Sequence, residues 1–277
     1  MNESDKTTQA ESRVAFRPSQ KRERDGQRCR QTWPCDERSR NIDTKLPPGY
    51  QRDGEHVLVR MPATPQTASP VPHLTSLHAS DGHGPYGKAA FRGNCSGLLI
   101  RDLLLYFRPK LVLDPMSGSG TCRDVCQELE LPCVSFDLAQ GLDACDEANY
   151  QRLAGYDFIW IHPPYWKLIE YGHDPRCLSQ APTLDDYLQR MRQVLRNCKS
   201  VLSPNGRIAL LIGDGRERGE YWGLPFRTLQ AAESEGLWLA APEIIRFGHG
   251  STSSRKEYTS SFIPLLHDVC WVLKAAD

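Results

Sequence analysis

The sequence predicts an α/β fold in which a mostly parallel sheet carries helices on both faces and an antiparallel strand closes one edge. Three observations support this. From Tyr86 onward, short apolar runs typical of strands alternate with longer amphipathic segments typical of helices. Several apolar runs stop at Asp, Gly or Pro, where a loop is expected to follow. The 277 residues, 39% of them hydrophobic, are enough for a sizeable core.

The predicted elements follow in order along the chain. Helices are expected at Ser96–Phe107 (with Ser96 as its cap), Cys122–Leu131, Leu184–Leu202 and Pro225–Glu235. Strands are expected at Leu111–Leu113, Cys133–Phe136, Tyr156–Ile161, Arg207–Ile212, Trp238–Phe247 and His267–Lys274. A turn is predicted at Pro204–Gly206. The polar loop Gly248–Ser261 separates the last two strands, which indicates an antiparallel hairpin at the sheet edge.

The first 85 residues differ from the rest of the chain. They are predicted to be a polar, largely disordered extension with a proline-rich linker at 62–85 and a short strand at His56–Arg60, and residues 86–277 the folded domain. Residues 13–30 carry seven basic side chains and two acidic ones. This segment is either a solvated tail or a basic arm that lies on a nucleic-acid backbone.

The overall composition excludes several classes of protein. Lys+Arg and Asp+Glu are both 34, so the zero net charge argues against a histone-like protein. The sequence shows no apolar run long enough for a membrane span and no secretory signal, so we expect a cytoplasmic protein without membrane contact. The ten cysteines include no C-x-x-C pair, and we expect reduced thiols and no metal site.

A glycine-rich segment, Leu111–Thr121, is the first candidate ligand site. A buried strand is expected to deliver Asp114 to a tight turn, and a helix begins at once. Glycines allow close backbone approach, and the helix start offers free N–H groups to a ligand. The segment lacks the Lys of a P-loop, which argues against a nucleoside triphosphate as the ligand. The candidate ligand-binding residues in the segment are Asp114, Pro115, Ser117, Gly118, Gly120 and Thr121.

Two acids follow this loop. Asp137 ends the next predicted strand, where an acid typically receives ribose hydroxyls. Asp143 is expected at the end of a short third strand as a further cofactor contact, although its surroundings are generally acidic.

The strand Tyr156–Ile161 runs directly into His162-Pro163-Pro164-Tyr165. Two consecutive prolines stop strand pairing and hold the chain in an extended turn. Their carbonyls can then face a ligand, and Tyr165 offers a flat aromatic face at the same sheet edge.

Together, DPMSGSGT and an x-PPY tetrapeptide resemble the DNA amino-methyltransferases of the adenine-N6 and cytosine-N4 class. The resemblance covers about Tyr86–Lys274. It implies a Rossmann-like, seven-stranded methyltransferase domain and S-adenosylmethionine as cofactor. It also implies that Arg92 and Asn94 flank the cofactor, that His162 to Tyr165 are the catalytic residues, and that Tyr165 and Trp166 stack on the target base.

The substrate implied by this resemblance is double-stranded DNA with one base flipped out. A cognate restriction enzyme and a second copy of the chain are candidate partners. The chain departs from the family in two ways. His162 stands where Asp, Asn or Ser is usual, and a neutral imidazole accepts through one nitrogen only. No long insertion supplies target recognition, which leaves the loops 166–182 and 246–261 and the N-terminal tail as candidates.

Two alternatives stay open at this point. RNA amino-methyltransferases and protein-glutamine methyltransferases are similar in using an x-PPY loop. The second alternative is a non-catalytic relative in which His162 has replaced a residue needed for catalysis. The cofactor is still expected to bind, because the chain retains Asp114, Gly118, Gly120 and Asp137.

Overall fold

The structure is a computed structural model, and the residues it describes are 50–53, 56–59, 64–79, 84–247, 262–263 and 265–276. The basic tail at 1–48 and the polar loop at 248–261 therefore lie outside the described residues. The chain divides into two units, Met1–Pro62 and Ala63–Asp277. In the first, β1 (Tyr50–Asp53) pairs antiparallel with β2 (His56–Val59), which confirms the strand predicted there.

The second unit contains an eight-stranded mixed sheet with the order β3-β11-β12-β7-β6-β4-β5, in which β10 also pairs with β12. A separate two-stranded ribbon pairs β8 with β9. The strands are β3 (Leu77–Ala79), β4 (Val112–Asp114), β5 (Cys133–Ser135), β6 (Tyr156–Ile161), β7 (Leu202–Ile212), β8 (Arg216–Glu217), β9 (Glu220–Tyr221), β10 (Leu237–Leu239), β11 (Ile244–Phe247) and β12 (Asp268–Ala275).

The central strands β5, β4, β6 and β7 are parallel to one another, whereas β12 runs antiparallel to β7. The predicted α/β class is confirmed. One detail differs, because β12 lies inside the sheet rather than at its edge. Beyond it, β11 pairs antiparallel with β12 and parallel with β3, which comes from the segment expected to be a linker. His78 of β3 is 4% exposed and contacts Asp102, so this strand is anchored in the fold.

Two strand boundaries also differ from prediction, each at a proline. The predicted strand Trp238–Phe247 is split into β10 and β11 around Pro242, which lacks the N–H that a continuous ladder needs. Strand β7 runs through the turn expected at Pro204–Gly206. Its pairing with β6 skips from Leu202 to Arg207, so the extra residues form a bulge instead of ending the strand.

Within the described ranges, four α-helices flank the sheet as predicted: α1 (Gly97–Phe107), α2 (Thr121–Glu128), α3 (Leu184–Val201) and α4 (Leu224–Ser234). The Ser96 side chain caps α1, and Thr183 with Asp186 forms a capping box on α3. Alternate residues of β6 serve opposite faces, since Ile159 and Ile161 belong to the core beneath α3 and α4 while Phe158 and Trp160 belong to the core beneath α1 and α2.

Among the described residues, every helix is too short or too polar to cross a lipid bilayer.

Candidate functional site

A cavity of about 260 Å³ opens where β4 and β6 end, so its walls come from the carboxyl ends of parallel strands. Ligands bind at this place in open α/β sheets. We call residues 114–143 the glycine-loop half of the cavity and residues 162–178 the proline-loop half. The lining residues used below are Phe91, Gly93, Cys95, Asp114, Gly118, Cys122, Asp137, Leu138, Ala139, Asp143, His162, Pro164 and Tyr171.

The glycine loop adopts the backbone that its sequence predicts. Gly118 and Gly120 have φ values of 45° and 87°, in the left-handed region that favours glycine. Gly120 also caps α2, which begins at Thr121. A Cβ on Gly118 would lie 3.3 Å from the Phe91 ring, so a larger side chain there would fill space beside the cavity.

Asp114, the last residue of β4, is 1% exposed and lines the cavity. Its Oδ1 accepts a hydrogen bond from the Met116 backbone N–H at 3.3 Å. Burial raises the pKa of the Asp114 carboxyl to about 8, because the charged form loses its hydration. Binding a cation in the cavity would favour ionisation of this carboxyl.

Asp137 lies beside the glycine loop, as the sequence predicts. Its Oδ2 accepts from the Gly118 N–H and its Oδ1 from the Ala139 N–H, both at 2.9 Å. These bonds hold the carboxylate at the cavity wall, and each oxygen retains a further lone pair for a ligand hydroxyl.

Asp143 also lines the cavity, but the strand expected before it is absent from this described stretch. Two short 3₁₀ turns, Leu138–Gln140 and Glu147–Tyr150, flank it instead. Oδ1 of Asp143 accepts from the Cys145 N–H at 2.8 Å, so the carboxylate closes a local turn that competes with strand pairing.

Asn94 and Arg92 have different surroundings from those expected. The Asn94 Oδ1 accepts from the hydroxyls of Ser119 (2.7 Å) and Thr121 (2.6 Å), so Asn94 braces the glycine loop from behind. Arg92 is exposed. From the same segment, the alternate residues Phe91, Gly93 and Cys95 reach the cavity.

The proline-loop half begins directly after β6. His162 and Pro164 line the cavity, and Pro163 is buried. The Tyr187 hydroxyl on α3 donates to the Pro164 carbonyl at 2.9 Å. That carbonyl therefore already has a protein partner, and helix α3 fixes the loop.

The His162 Nε2 lies 3.0 Å from the Tyr165 hydroxyl. If Nε2 carries the proton, it donates to Tyr165 and Nδ1 becomes an acceptor; if Tyr165 donates, Nδ1 carries the proton. The direction of the hydrogen bond between Nε2 and Tyr165 therefore decides whether Nδ1 of His162 can accept a hydrogen bond.

Tyr165 and Trp166 pack into the protein. A Cβ on Gly213 would lie 2.5 Å from the Tyr165 ring, so the glycine makes room for this side chain. Trp166 is 7% exposed, its Nε1 donates to the Ala181 carbonyl at 2.8 Å, and its ring meets Trp222 edge-on at 5.0 Å. Trp166 therefore supports the fold, in contrast to the base-stacking role we expected.

Two aromatic residues that the sequence did not single out are at the cavity. Phe91 and Tyr171 stack with ring centroids 5.9 Å apart and an interplanar angle of 25°. They are 37% and 38% exposed, and both line the cavity. Tyr171 lies in the loop 166–182, a candidate for target recognition, but no motif marks either residue and nothing in the sequence pairs the two rings.

Comparison with known proteins points to methyltransferases. The chain is similar to the type II methyltransferase M.SfiI of Streptomyces fimbriatus, with 31% identity over a region that covers 36% of this chain and 32% of that protein. The chain thus matches about a third of the length of this relative. No family model matches the chain.

Solved structures give more distant similarities. TrmN from Thermus thermophilus has 22% identity and a TM-score of 0.43, covering 68% of this chain and 51% of that chain. A SAM-dependent methyltransferase from Archaeoglobus fulgidus has 14% identity and a TM-score of 0.40, covering 66% and 96%. Similarity at TM-scores below 0.5 is too distant to assign a function. The sequence similarity to M.SfiI is therefore the comparison that bears on function.

Proposed function

We propose that this protein transfers a methyl group from S-adenosylmethionine to an exocyclic base amine in DNA, at adenine N6 or cytosine N4. The observation that carries the proposal is that the glycine loop and the His162-Pro163-Pro164-Tyr165 turn meet at one cavity. The similarity to a type II methyltransferase supports the reaction class.

The residues that line the cavity suit S-adenosylmethionine in polarity and charge. Gly118 has a left-handed backbone and no side chain, which leaves space for a ligand between the loop and Phe91. A Cβ on Gly118 would reduce that space. Asp137 and Asp143 would hold polar groups of the cofactor, and Leu138 and Ala139 supply apolar wall between them. The Asp114 carboxyl suits a cationic ligand. Bound S-adenosylmethionine supplies a methyl group activated on a positively charged sulfur.

The chain's own residues position the nucleophile. An exocyclic amine is a weak nucleophile because its lone pair is delocalised into the base. His162 would accept one amine N–H, and the Pro163 carbonyl is proposed as the second acceptor. Together they aim the nitrogen lone pair into the cavity. This role requires neutral His162 with the proton on Nε2, donated to Tyr165.

The target base is proposed to stack on Tyr171 and Phe91. A stacked, partly exposed aromatic pair at a cavity wall offers the flat surface that a flipped base needs, which buried Trp166 does not. Exposed Lys88 and Arg92 flank Phe91 in the chain and would contact phosphates. A cognate restriction enzyme and homodimer formation stay predictions.

The proposal is tested by analysing nucleosides from cells that express the chain. We expect N6-methyladenine or N4-methylcytosine in DNA, and a lower content of it with His162→Ala. Methylation confined to RNA nucleosides or to protein glutamine would contradict the DNA assignment. Absence of any methylated product, with cofactor still bound, would favour the non-catalytic reading.

The aromatic pair has its own test. Tyr171→Ala should weaken DNA binding by about 1–3 kcal/mol, the usual contribution of one base–aromatic stack, and leave cofactor affinity unchanged. Tyr106→Ala is the matched control, because Tyr106 is an exposed tyrosine (44%) on α1 outside the cavity lining. Equal losses in the two variants would argue against a specific stacking role.

A further inference from the structure

We propose that Cys122, Cys126 and Cys133 form a binding site for a single thiophilic d¹⁰ metal ion, of which Zn²⁺ and Cu⁺ are the physiological examples. The three Sγ atoms all lie within 4.8 Å of one another. The sequence predicted no metal site, because these cysteines lack C-x-x-C spacing. Folding brings them together from two elements.

The local geometry explains how the thiols converge. Cys122 and Cys126 are four residues apart on α2 and therefore share one face of the helix. Cys133 begins β5, the strand that follows α2 in the chain. A metal–sulfur distance of about 2.3 Å places sulfurs ~3.8–4.0 Å apart around a common ion. Each Sγ–Sγ distance would have to shorten by less than about 1 Å for all three sulfurs to bind one ion.

The donor set selects the class of ion. Cys122 and Cys126 are each 1% exposed, and the three-thiol group includes no carboxylate or imidazole within the described part of the chain. Thiolate ligands without hard oxygen donors favour Cu⁺ and Zn²⁺ over Mg²⁺ or Ca²⁺. Cu⁺ would be satisfied by three thiolates, whereas Zn²⁺ would add water as a fourth ligand, and Cys122 lines the cavity from which that water would enter.

Binding is an exchange of protons for metal and involves no redox change. Three S–H bonds break, three metal–sulfur bonds form, and three protons pass to solvent. The ion would link the first turn of α2, which follows the glycine loop directly, to the start of β5. A filled site should therefore stiffen the wall of the cavity that Cys122 lines.

The probe is Cd²⁺, which gives an ultraviolet charge-transfer absorption when bound to thiolates. Full-length protein, stripped of metal and reduced with a phosphine, should bind one Cd²⁺ per chain. Cys133→Ser should abolish the absorption, and it is the variant of choice because Cys133 is only partly buried. The apparent melting temperature of wild type should rise with Cd²⁺, and that of Cys133→Ser should not.

Two controls separate the site from other thiols. Cys270→Ser removes a buried cysteine outside the cluster. A variant with serine at both Cys29 and Cys35 removes the thiols outside the described residues. Both should keep full Cd²⁺ absorption. Displacement of Cd²⁺ by Zn²⁺ or by Cu⁺ then identifies the ion that the site prefers.

The proposal is overturned if reduced wild type shows no Cd²⁺–thiolate absorption, if Cys133→Ser retains it, or if either control loses it. These readouts need no methyl transfer, so they are independent of the proposed enzymatic function.

Discussion

The two halves of the cavity use their sequence motifs in different ways. In the glycine-loop half, the motif itself forms the wall, because Asp114, Ser117 and Gly118 all line the cavity. In the proline-loop half, only His162 and Pro164 of the tetrapeptide line it, while Tyr165 packs against Gly213. The glycine motif supplies ligand contacts directly, whereas part of the tetrapeptide supports the residues that reach the cavity, as the Tyr165 hydroxyl does for His162.

The largest effect should come from blocking the glycine-loop half. Gly118→Val places a branched side chain at a φ of 45° and beside Phe91, and we expect calorimetry to detect no S-adenosylmethionine binding. Gly155→Val is the matched control, because Gly155 has a φ of 73° with nothing near its Cβ position. Both variants carry backbone strain, but only the first should lose binding. Intact binding in folded Gly118→Val would remove this half from the cofactor site.

A second test concerns the buried carboxyl of that half. The pKa of Asp114 is raised to about 8 in the folded state, against about 3.9 in an unfolded chain. Between these values the folded state keeps a proton that the unfolded state releases. The free energy of unfolding should therefore fall as pH rises, by about 1.36 kcal/mol per pH unit from this group.

Asp114→Asn should remove that part of the pH dependence and stabilise the protein near neutral pH. Denaturant unfolding between about pH 5 and 7 measures the slope for both proteins. An unchanged slope in Asp114→Asn would show that the carboxyl is ionised in the folded state.

The proline-loop half is tested at its contact residue. His162→Ala should lower the single-turnover rate at least about tenfold by removing an acceptor, and it should spare cofactor affinity. His162→Asp should restore the rate, most clearly at acidic pH, because a carboxylate still accepts where an imidazolium cannot. A wild-type rate in His162→Ala would instead assign the positioning to the Pro163 carbonyl.

The smallest effect should come from the residue behind this contact. Tyr165→Phe removes a neutral hydrogen bond to His162, so we expect a rate loss of roughly two- to tenfold, from about 0.5–1.5 kcal/mol. If Tyr165 acts only through His162, the change should cost nothing further in the His162→Ala background. Additive losses would mean that Tyr165 contributes to turnover separately.

The same contrast explains what the sequence could predict. The glycine loop is a local pattern, since β4, the turn and α2 are consecutive, so the sequence predicts that Asp114 and Gly118 lie at the carboxyl end of β4, where the cavity opens. Their contact with a cofactor stays a prediction. Asn94 was expected as a ligand contact, yet it binds Ser119 and Thr121, and that pairing depends on tertiary packing.

The positions of the aromatic side chains also depend on tertiary packing. Tyr165 and Trp166 stand at the end of a strand, and sequence alone does not reveal whether such a ring turns toward a cavity or into the core. Phe91 and Tyr171 lie on loops without a motif, and only the folded chain stacks them. Periodicity predicted helices and sheet class well, because burial on one face leaves a repeating pattern.

The pairing of β3 with β11 has a consequence for biosynthesis. Leu77 lies opposite Ile245 in the finished sheet, so β3 leaves the ribosome long before its partner strand is made. The strands β4, β5 and β6 that form the cavity emerge in the interval and are free to pair first. An incomplete chain that ends before β11 would lack β12 as well, so β7 would be the unpaired edge of the sheet, the kind of edge that recruits other strands. Translation speed across this interval should therefore influence how much of the protein aggregates rather than how the finished molecule works.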